Sequence, residues 1–149
     1  MLTIRQSRPS DTSALVSLRT TWSFEQTGGP VLDPDFEDSY RAWAAKNPRT
    51  VFVAELDGVV IGMMNLMVFE RMPKPGKAAS CWVYLGNAYV TEAQRNKGIG
   101  GQLLAAAIQF SRDINAARIV LSPSEESRTF YARNGFKPAA ELFVKTLEY

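Results

Sequence analysis

A glycine-rich segment at residues 90–104, VTEAQRNKGIGGQLL, holds the residues best suited to binding an anion. Gly98, Gly100 and Gly101 stand where a β-rich run gives way to a helical pattern. Glycines let the backbone approach a ligand closely, and the first N–H groups of a helix have no partner within it. The helix start carries partial positive charge, and Arg95 and Lys97 add full charges nearby. The segment therefore predicts a phosphate or pyrophosphate site.

Two widespread phosphate-binding patterns do not match this segment. The dinucleotide fingerprint GxGxxG would need its third glycine at position 103, where the chain has Leu103. The P-loop pattern GxxxxGK[ST] is absent from the chain. On the glycines alone, a strand-to-helix turn without any ligand remains an equally good interpretation.

The hydrophobic pattern on either side of the segment switches between strand and helix periods. Asp57-Gly58 predicts a two-residue hairpin turn between two long β-rich runs. Helices are predicted after Ser10 or Asp11, after Asp33-Pro34, at the glycines and after Pro123. Strands are predicted at residues 2–7, 50–56, 59–70, 80–90, 117–122 and 141–149. The element order is β-α-α-β-β-β-α-β-α-β, and we expect a mixed α/β sheet with helices on both faces.

Composition excludes several classes of chemistry. The chain has 149 residues, no histidine and one cysteine, Cys81. Histidine-based nucleophilic catalysis and a transition-metal site are therefore not expected. A net charge of +2 without a basic cluster argues against nucleic-acid binding, and no window is apolar enough to span a membrane. No signal peptide is visible, so we expect a cytoplasmic location and a single domain over residues 1–149.

Two motifs in the correct order give the sequence a family resemblance. The spacing Arg95-x-x-Gly98-x-Gly100 after an apolar strand resembles motif A of the GNAT (GCN5-related N-acetyltransferase) superfamily. Residues 127–138, SRTFYARNGFKP, resemble motif B of that superfamily. The hairpin at Asp57-Gly58 and the two helices between the first and second strands also fit, so the resemblance extends over residues 2–149.

The resemblance implies an acetyl-CoA-dependent N-acetyltransferase in which a primary amine attacks the thioester directly. The backbone of Ala88, Tyr89 and Val90 would pair with the pantetheine arm, on a strand that bulges and splays from its neighbour. Tyr131 would protonate the departing thiolate. The pyrophosphate would be wrapped by residues of the glycine segment: Arg95, Asn96, Lys97, Gly98, Ile99, Gly100 and Gly101. Asn96 stands where this superfamily more often has glycine.

The sequence leaves the general base unassigned. Glu70, Glu25, Asp33 and Asp35 are the candidates, and a base is unnecessary if the amine is already neutral. The acceptor pocket should lie against the first two helices, where Trp22, Phe24 and Phe36 mix with Glu25, Asp33 and Asp35. An acidic and aromatic lining of that kind would suit a cationic amine. Asn65 and Asn87 interrupt apolar strands, and each would either satisfy a structural hydrogen bond or face the acceptor.

Two further interpretations stay open. The chain could be a non-catalytic acyl-CoA-binding or regulatory module of the same fold, because fold alone does not guarantee activity. The apolar closing strand at 141–149 also makes a homodimer plausible.

Overall fold

Alternating side chains and a tight hairpin build the sheet of this protein. In the computed structural model, which describes all 149 residues, Asp57 and Gly58 take positive φ angles of 50° and 83°, as a two-residue hairpin requires. This turn joins β2 (Thr50–Leu56) to β3 (Val59–Glu70). The sheet order is β1-β2-β3-β4-β5, with β1 (Leu2–Gln6) at one edge and β4 (Cys81–Val90) beside β3. The first four strands are antiparallel, and β5 (Arg118–Val120) runs parallel to β4.

Helices cover both faces of the sheet, as the sequence predicts. Helices α1 (Thr12–Thr27) and α2 (Phe36–Lys46) connect β1 to β2, and α1 packs with Val53, Met63 and Tyr89 on one face. The larger core lies on the other face, under α3 (Ile99–Asp113) and α4 (Arg128–Arg133). Residues on β4 alternate between the two cores, so this strand presents side chains to both helix layers.

A bulge in β4 changes its course halfway along. Asn87 lies opposite Asn65 and Leu85 lies opposite Leu66, so Gly86 is the extra residue. Pairing with β5 extends only from Trp82 to Tyr84. Beyond the bulge, β4 therefore leaves its neighbour, and the sheet opens into a cleft on that side. The splayed strand expected from the family resemblance is confirmed.

The predicted closing strand at 141–149 is wrong. Residues 142–149 form no strand, and Val144 and Leu147 are 90% and 61% exposed. Leu142 and Val144 are two residues apart, but Leu147 follows three residues later, so no face of a strand could hold all three. The observed order of elements therefore ends at α4. None of the helices has the length and apolarity needed to cross a membrane.

Helix α2 also departs from expectation. It begins at Phe36 rather than after Asp33, because a turn at Pro34 and Asp35 precedes it. The spacing of Phe36, Tyr40 and Trp43 predicts one apolar helix face, yet no residue of this helix is buried. Phe36 and Tyr40 are half-buried and Trp43 is exposed, and Tyr40 alone of the three packs against the core under α1.

A charged cluster fixes the start of α1 to the sheet edge. Arg5 donates to both carboxylate oxygens of Asp11, at 2.8 and 3.0 Å, and to Glu55 at 2.6 Å. The Arg8 N–H donates to Asp11 at 2.6 Å. Hydrogen bonds from Arg5 are the main reason that the pKa of Asp11 falls to about 2. Asp11 stands at the N-cap position of α1, as predicted for Ser10 or Asp11, but its side chain accepts from Arg5 and Arg8 and from no N–H of α1.

We predict that Asp11→Asn lowers the free energy of unfolding at pH 7 by about 2 kcal/mol, because a buried charged partner of Arg5 is lost. The folded-state pKa of Asp11 lies below its unfolded value of about 4, so this stabilisation is present above pH 4. It is lost as the pH falls toward 2, and the two proteins should converge there. Urea denaturation across this range measures the difference. Asp113→Asn, on the exposed end of α3, is the matched control, and a gap that is independent of pH would contradict the assignment.

Candidate active site

The cleft opened by β4 is a groove of about 630 Å³. Its walls are the free half of β4, the start of α3, the chain after β5 and helix α4. Tyr131 and nine of the ten residues predicted to contact the cofactor line it: Ala88, Tyr89, Val90, Arg95, Asn96, Gly98, Ile99, Gly100 and Gly101. Lys97 is the exception, since it lies outside the lining and its ammonium group donates to Gln94 at 3.3 Å.

The free edge of β4 offers backbone groups to the groove. The Thr91 N–H donates to the carbonyl of Ile61 on β3 at 2.9 Å. This bond shows which residues of β4 direct their backbone N–H and C=O groups toward β3. In an antiparallel ladder, Tyr89 then points its backbone groups toward β3, and Ala88 and Val90 point theirs toward the groove. An extended ligand arm could pair with these groups as an added strand would.

The glycine segment presents a row of free N–H donors. No N–H group from Asn96 to Gly101 donates to an acceptor within the chain, and the first N–H with one is that of Gln102. Gly98 has a φ of 80°, which a side chain would strain, and nothing else lies near its missing Cβ. Asn96 has a φ of 61°, a conformation that asparagine adopts more readily than most residues. This backbone demand explains why Asn96 can replace glycine, and the free donors at a helix start fit a pyrophosphate.

Two glycines of α3 have different surroundings. A Cβ on Gly100 would lie 3.6 Å from the ring of Phe130, in ordinary contact. A Cβ on Gly101 would meet nothing within 4 Å, although this residue lines the groove. A side-chain methyl at position 100 would therefore contact Phe130 without strain, whereas Gly101 leaves the helix start open.

Arg95 bridges the groove to α1. Its guanidinium donates to Glu25 at 2.7 Å and to the Val90 carbonyl at 2.9 Å, and lies 5.4 Å from the centre of the Tyr89 ring. The Tyr89 hydroxyl donates to the other oxygen of Glu25. The side chain of Arg95 therefore ties α1, β4 and the glycine segment together.

The same bridge sets the protonation of its members. Hydrogen bonds from Tyr89 and then Arg95 lower the pKa of Glu25. Burial, followed by the hydrogen bond to Glu25, raises the pKa of Tyr89 to about 12. Glu25 is thus a stabilised carboxylate, and a stabilised carboxylate is a weak general base.

Tyr131 lies at the junction of α4 with the groove. Its ring packs against Phe130 and Phe136 at centroid distances of 5.0 and 5.5 Å. The hydroxyl makes no hydrogen bond within the chain, yet no polar side-chain atom is sealed in the interior without a partner. It therefore reaches the groove, and burial raises its pKa above the ordinary value of 10. A protonated hydroxyl with no competing partner can donate to a ligand.

A second cavity of about 270 Å³ lies on the α1 and α2 side of β4. Four residues, Trp22, Met63, Asn87 and Tyr89, line both this cavity and the groove, so the two meet at the splayed half of β4. We call it the aromatic pocket because Trp22, Phe36, Tyr40, Trp43 and Tyr89 contribute to its wall.

None of the carboxylates expected near the acceptor lines the aromatic pocket. Trp22 and Phe36 line the aromatic pocket. Phe24 and Asp33 line a third cavity, which shares Arg19 and Phe36 with the aromatic pocket, and Glu25 and Asp35 line neither. Glu70 is exposed at the end of β3 and lines none of these cavities. No carboxylate lines the groove or the aromatic pocket.

Sequence reasoning missed Arg19, Ser39, Tyr40 and Trp43 as wall residues of this pocket. Phe36, Tyr40 and Trp43 have helical spacing, which is the same for a buried face and for a face that lines a cavity. The signal that could have singled them out is size, since three aromatic rings on an eleven-residue helix are hard to bury under one neighbouring helix.

The fold combines a splayed sheet, a glycine-rich helix start and two cavities that meet at one strand. The family model described as acetyltransferase (GNAT) family matches residues 16–136, and the chain belongs to that family. A glucosamine 6-phosphate N-acetyltransferase of Trypanosoma brucei brucei is 26% identical over 87 residues. That alignment covers 58% of this chain and 57% of the relative, so the chain matches a little over half of the relative's length.

Solved structures share the fold at low identity. A predicted acetyltransferase from Clostridium acetobutylicum with acetyl-CoA has a TM-score of 0.76 and 22% identity, covering 98% of this chain and 96% of that one. The aminoglycoside N-acetyltransferase AAC(6')-Iy in complex with CoA has a TM-score of 0.75 and 20% identity, covering 100% and 96%. These likenesses show the fold.

We predict opposite effects on stability from two alanine substitutions in the glycine segment. Gly98→Ala should lower the free energy of unfolding by about 1–2 kcal/mol, because alanine strains at a φ of 80°. Gly101→Ala should raise it by up to about 1 kcal/mol, because alanine favours the helix and has open space. Urea denaturation of both variants measures this contrast, and changes of the same sign would argue against the backbone described here.

Proposed function

We propose that the protein transfers the acetyl group of acetyl-CoA to a primary amine. The observation that carries the proposal is the meeting of two cavities at Asn87 and Tyr89. One has the free N–H row that suits a pyrophosphate, and the other has room for a small acceptor. The thioester would lie where they meet, and attack would occur in a complex of both substrates.

In this proposal the donor lies along β4. The pyrophosphate accepts from the N–H groups of residues 96–101, and the pantetheine arm pairs with Ala88 and Val90. Lys97, exposed near the rim, adds long-range attraction rather than direct contact. Arg95 acts as a positioning residue, since its guanidinium is engaged by Glu25 and by the Val90 carbonyl.

The reaction forms a carbon–nitrogen bond, breaks the carbon–sulfur bond and transfers two protons, one from the amine and one to the thiolate. The amine nitrogen attacks the thioester carbonyl, and the tetrahedral oxyanion that forms needs a hydrogen-bond donor, which a backbone N–H of β4 would supply. The carbon–sulfur bond then breaks, and Tyr131 gives its proton to the leaving thiolate. The proton of the attacking nitrogen goes to solvent, and Tyr131 is reprotonated from solvent. Since no carboxylate lines either cavity, the amine enters as the neutral base.

The alternative is a module that binds acyl-CoA without turnover. The absence of a carboxylate base from both cavities favours it, and the unpartnered hydroxyl of Tyr131 disfavours it. A cytoplasmic location, a homodimer, one domain over the whole chain and the lack of a metal stay predictions.

Binding of acetyl-CoA is the first prediction to test. Isothermal titration should show one site, and Gly101→Glu should weaken it at least about tenfold, because a carboxylate would stand beside the pyrophosphate. Gly101→Gln has the same size without the charge and should weaken it less. Circular dichroism confirms that both variants fold. If the wild type does not bind acetyl-CoA, the assignment of the donor site is wrong. If both variants lose the same affinity for acetyl-CoA, the pyrophosphate does not lie beside residue 101.

Substitution of Tyr131 tests the chemistry. Tyr131→Phe keeps the ring packing and should lower kcat about 100-fold or more, with the Kd for acetyl-CoA unchanged. Because burial raises the pKa of Tyr131 above 10, the wild type should lose no activity through this group below pH 10. Release of free thiol from acetyl-CoA with an amine measures kcat. Full activity in Tyr131→Phe would exclude the acid role, and tight binding without turnover of any amine would establish the non-catalytic module.

A further inference from the structure

The aromatic pocket carries one charge, and it is positive. Arg19 is the only charged residue in the wall, and its guanidinium lies 4.4 Å from the centre of the Trp22 ring. Arg19 forms no ion pair with any carboxylate of the chain, in contrast to Arg5, Arg41, Arg95, Arg118 and Arg128. A guanidinium that lies over an aromatic ring and has no carboxylate partner can still donate its N–H groups to an anion.

The rest of the wall is apolar and aromatic. Eight of the twelve lining residues are hydrophobic. On α2, the Tyr40 ring lies 6.3 Å from Phe36 and 5.8 Å from Trp43, and Trp22 stacks on Tyr89 at 5.7 Å. Tyr89 is buried, but Trp22, Phe36, Tyr40 and Trp43 remain at least partly accessible, so the apolar body of a ligand would remove their surface from water.

Two amides mark the end of the pocket nearest the groove. Asn65 and Asn87 face each other across β3 and β4, next to the bulge at Gly86. Neither side chain makes a hydrogen bond within the chain, and no buried polar atom lacks a partner, so both amides reach the cavity. Of the two, Asn87 also lines the groove. An amide oxygen there can accept from an amine N–H and aim the nitrogen toward the thioester.

We propose that the acceptor is a primary amine on an apolar, aromatic-sized body that carries an anionic group, with Arg19 binding the anion and Asn87 the amine. The proposal rests on the proposed acetyl transfer and names the substrate class for it. The pocket has no carboxylate to neutralise an ammonium, so a polycation such as a multiply charged amino sugar is disfavoured. A sugar phosphate offers the anion, but its hydroxyls would meet a wall with few hydrogen-bonding groups.

A set of matched acceptors tests the class. Phenylethylamine supplies the body alone, phenylalanine adds a carboxylate beside the amine, and 4-(2-aminoethyl)benzoate adds one at the far end. Tyramine phosphate replaces that far carboxylate by phosphate, and glucosamine 6-phosphate keeps an anion on a polar body. We expect kcat/KM for at least one anionic aromatic amine to exceed that of phenylethylamine about tenfold or more, and to exceed that of glucosamine 6-phosphate. Whichever of 4-(2-aminoethyl)benzoate and tyramine phosphate has the higher kcat/KM shows whether the anionic group is a carboxylate or a phosphate.

Arg19→Ala should abolish this preference by raising KM for the anionic amine about tenfold, much more than it changes KM for phenylethylamine. Arg41→Ala removes an exposed arginine outside the pocket and should leave the preference intact. A preference that survives Arg19→Ala, equal rates with and without the anion, or glucosamine 6-phosphate as the best acceptor would overturn the inference.

The two proposals fail separately. If acetyl-CoA binds but no amine is acetylated, the catalytic function is wrong. Titration of the same amines into the protein saturated with CoA then measures the pocket's preference directly. In that case the ligand class is upheld if the anionic amines bind more tightly than phenylethylamine and Arg19→Ala abolishes the difference. Equal affinities for amines with and without the anion overturn it.

Discussion

The departure of β4 from β5 after Tyr84 is the constraint on which the rest of the site depends. Up to that residue the strand is an ordinary member of the sheet, with partners on both sides. The extra residue at Gly86 bends it, and an adjacent strand can no longer follow. Backbone groups that would have been buried in a ladder become free donors and acceptors along an open cleft. A continuous sheet would have satisfied them and left no groove.

The bend also joins the two faces of the sheet. Beyond the bulge, Tyr89 and Asn87 point toward α1 and α2, and Ala88 and Val90 pack on the α3 side. Arg95 crosses from the glycine segment to Glu25 on α1, so the helix above one cavity is tied to the loop above the other. Because Tyr89 shares Glu25 with Arg95, ring, carboxylate and guanidinium hold one another in place. Such a cross-link keeps the junction of the two cavities fixed while each is free to take its own ligand.

The features that could be predicted from the sequence are those that depend on a few neighbouring residues. The pair Asp57-Gly58 predicts a turn that needs two positive φ angles. The run Gly98-Ile99-Gly100-Gly101 predicts a helix start with free N–H donors. The closing strand could not be judged in this way, since alternation over a few residues is a weak signal and nothing local reports whether a partner strand exists. Likewise, the ion pairs of Arg95 with Glu25 and of Arg5 with Glu55 join residues far apart in the chain, which only the sheet brings together.

The sign of the charge in the aromatic pocket shows why local composition misleads. Acidic residues crowd the chain between Glu25 and Asp38, so an acidic pocket was the natural expectation. In a helix, however, neighbours in sequence point in different directions, and α2 directs Phe36, Tyr40 and Trp43 inward while Glu37 pairs with Arg41 outside. The pocket face of α1 brings Arg19 and Trp22 together by their three-residue spacing. The net charge of a segment does not determine the charge of the one face that lines a cavity, and here the two are opposite.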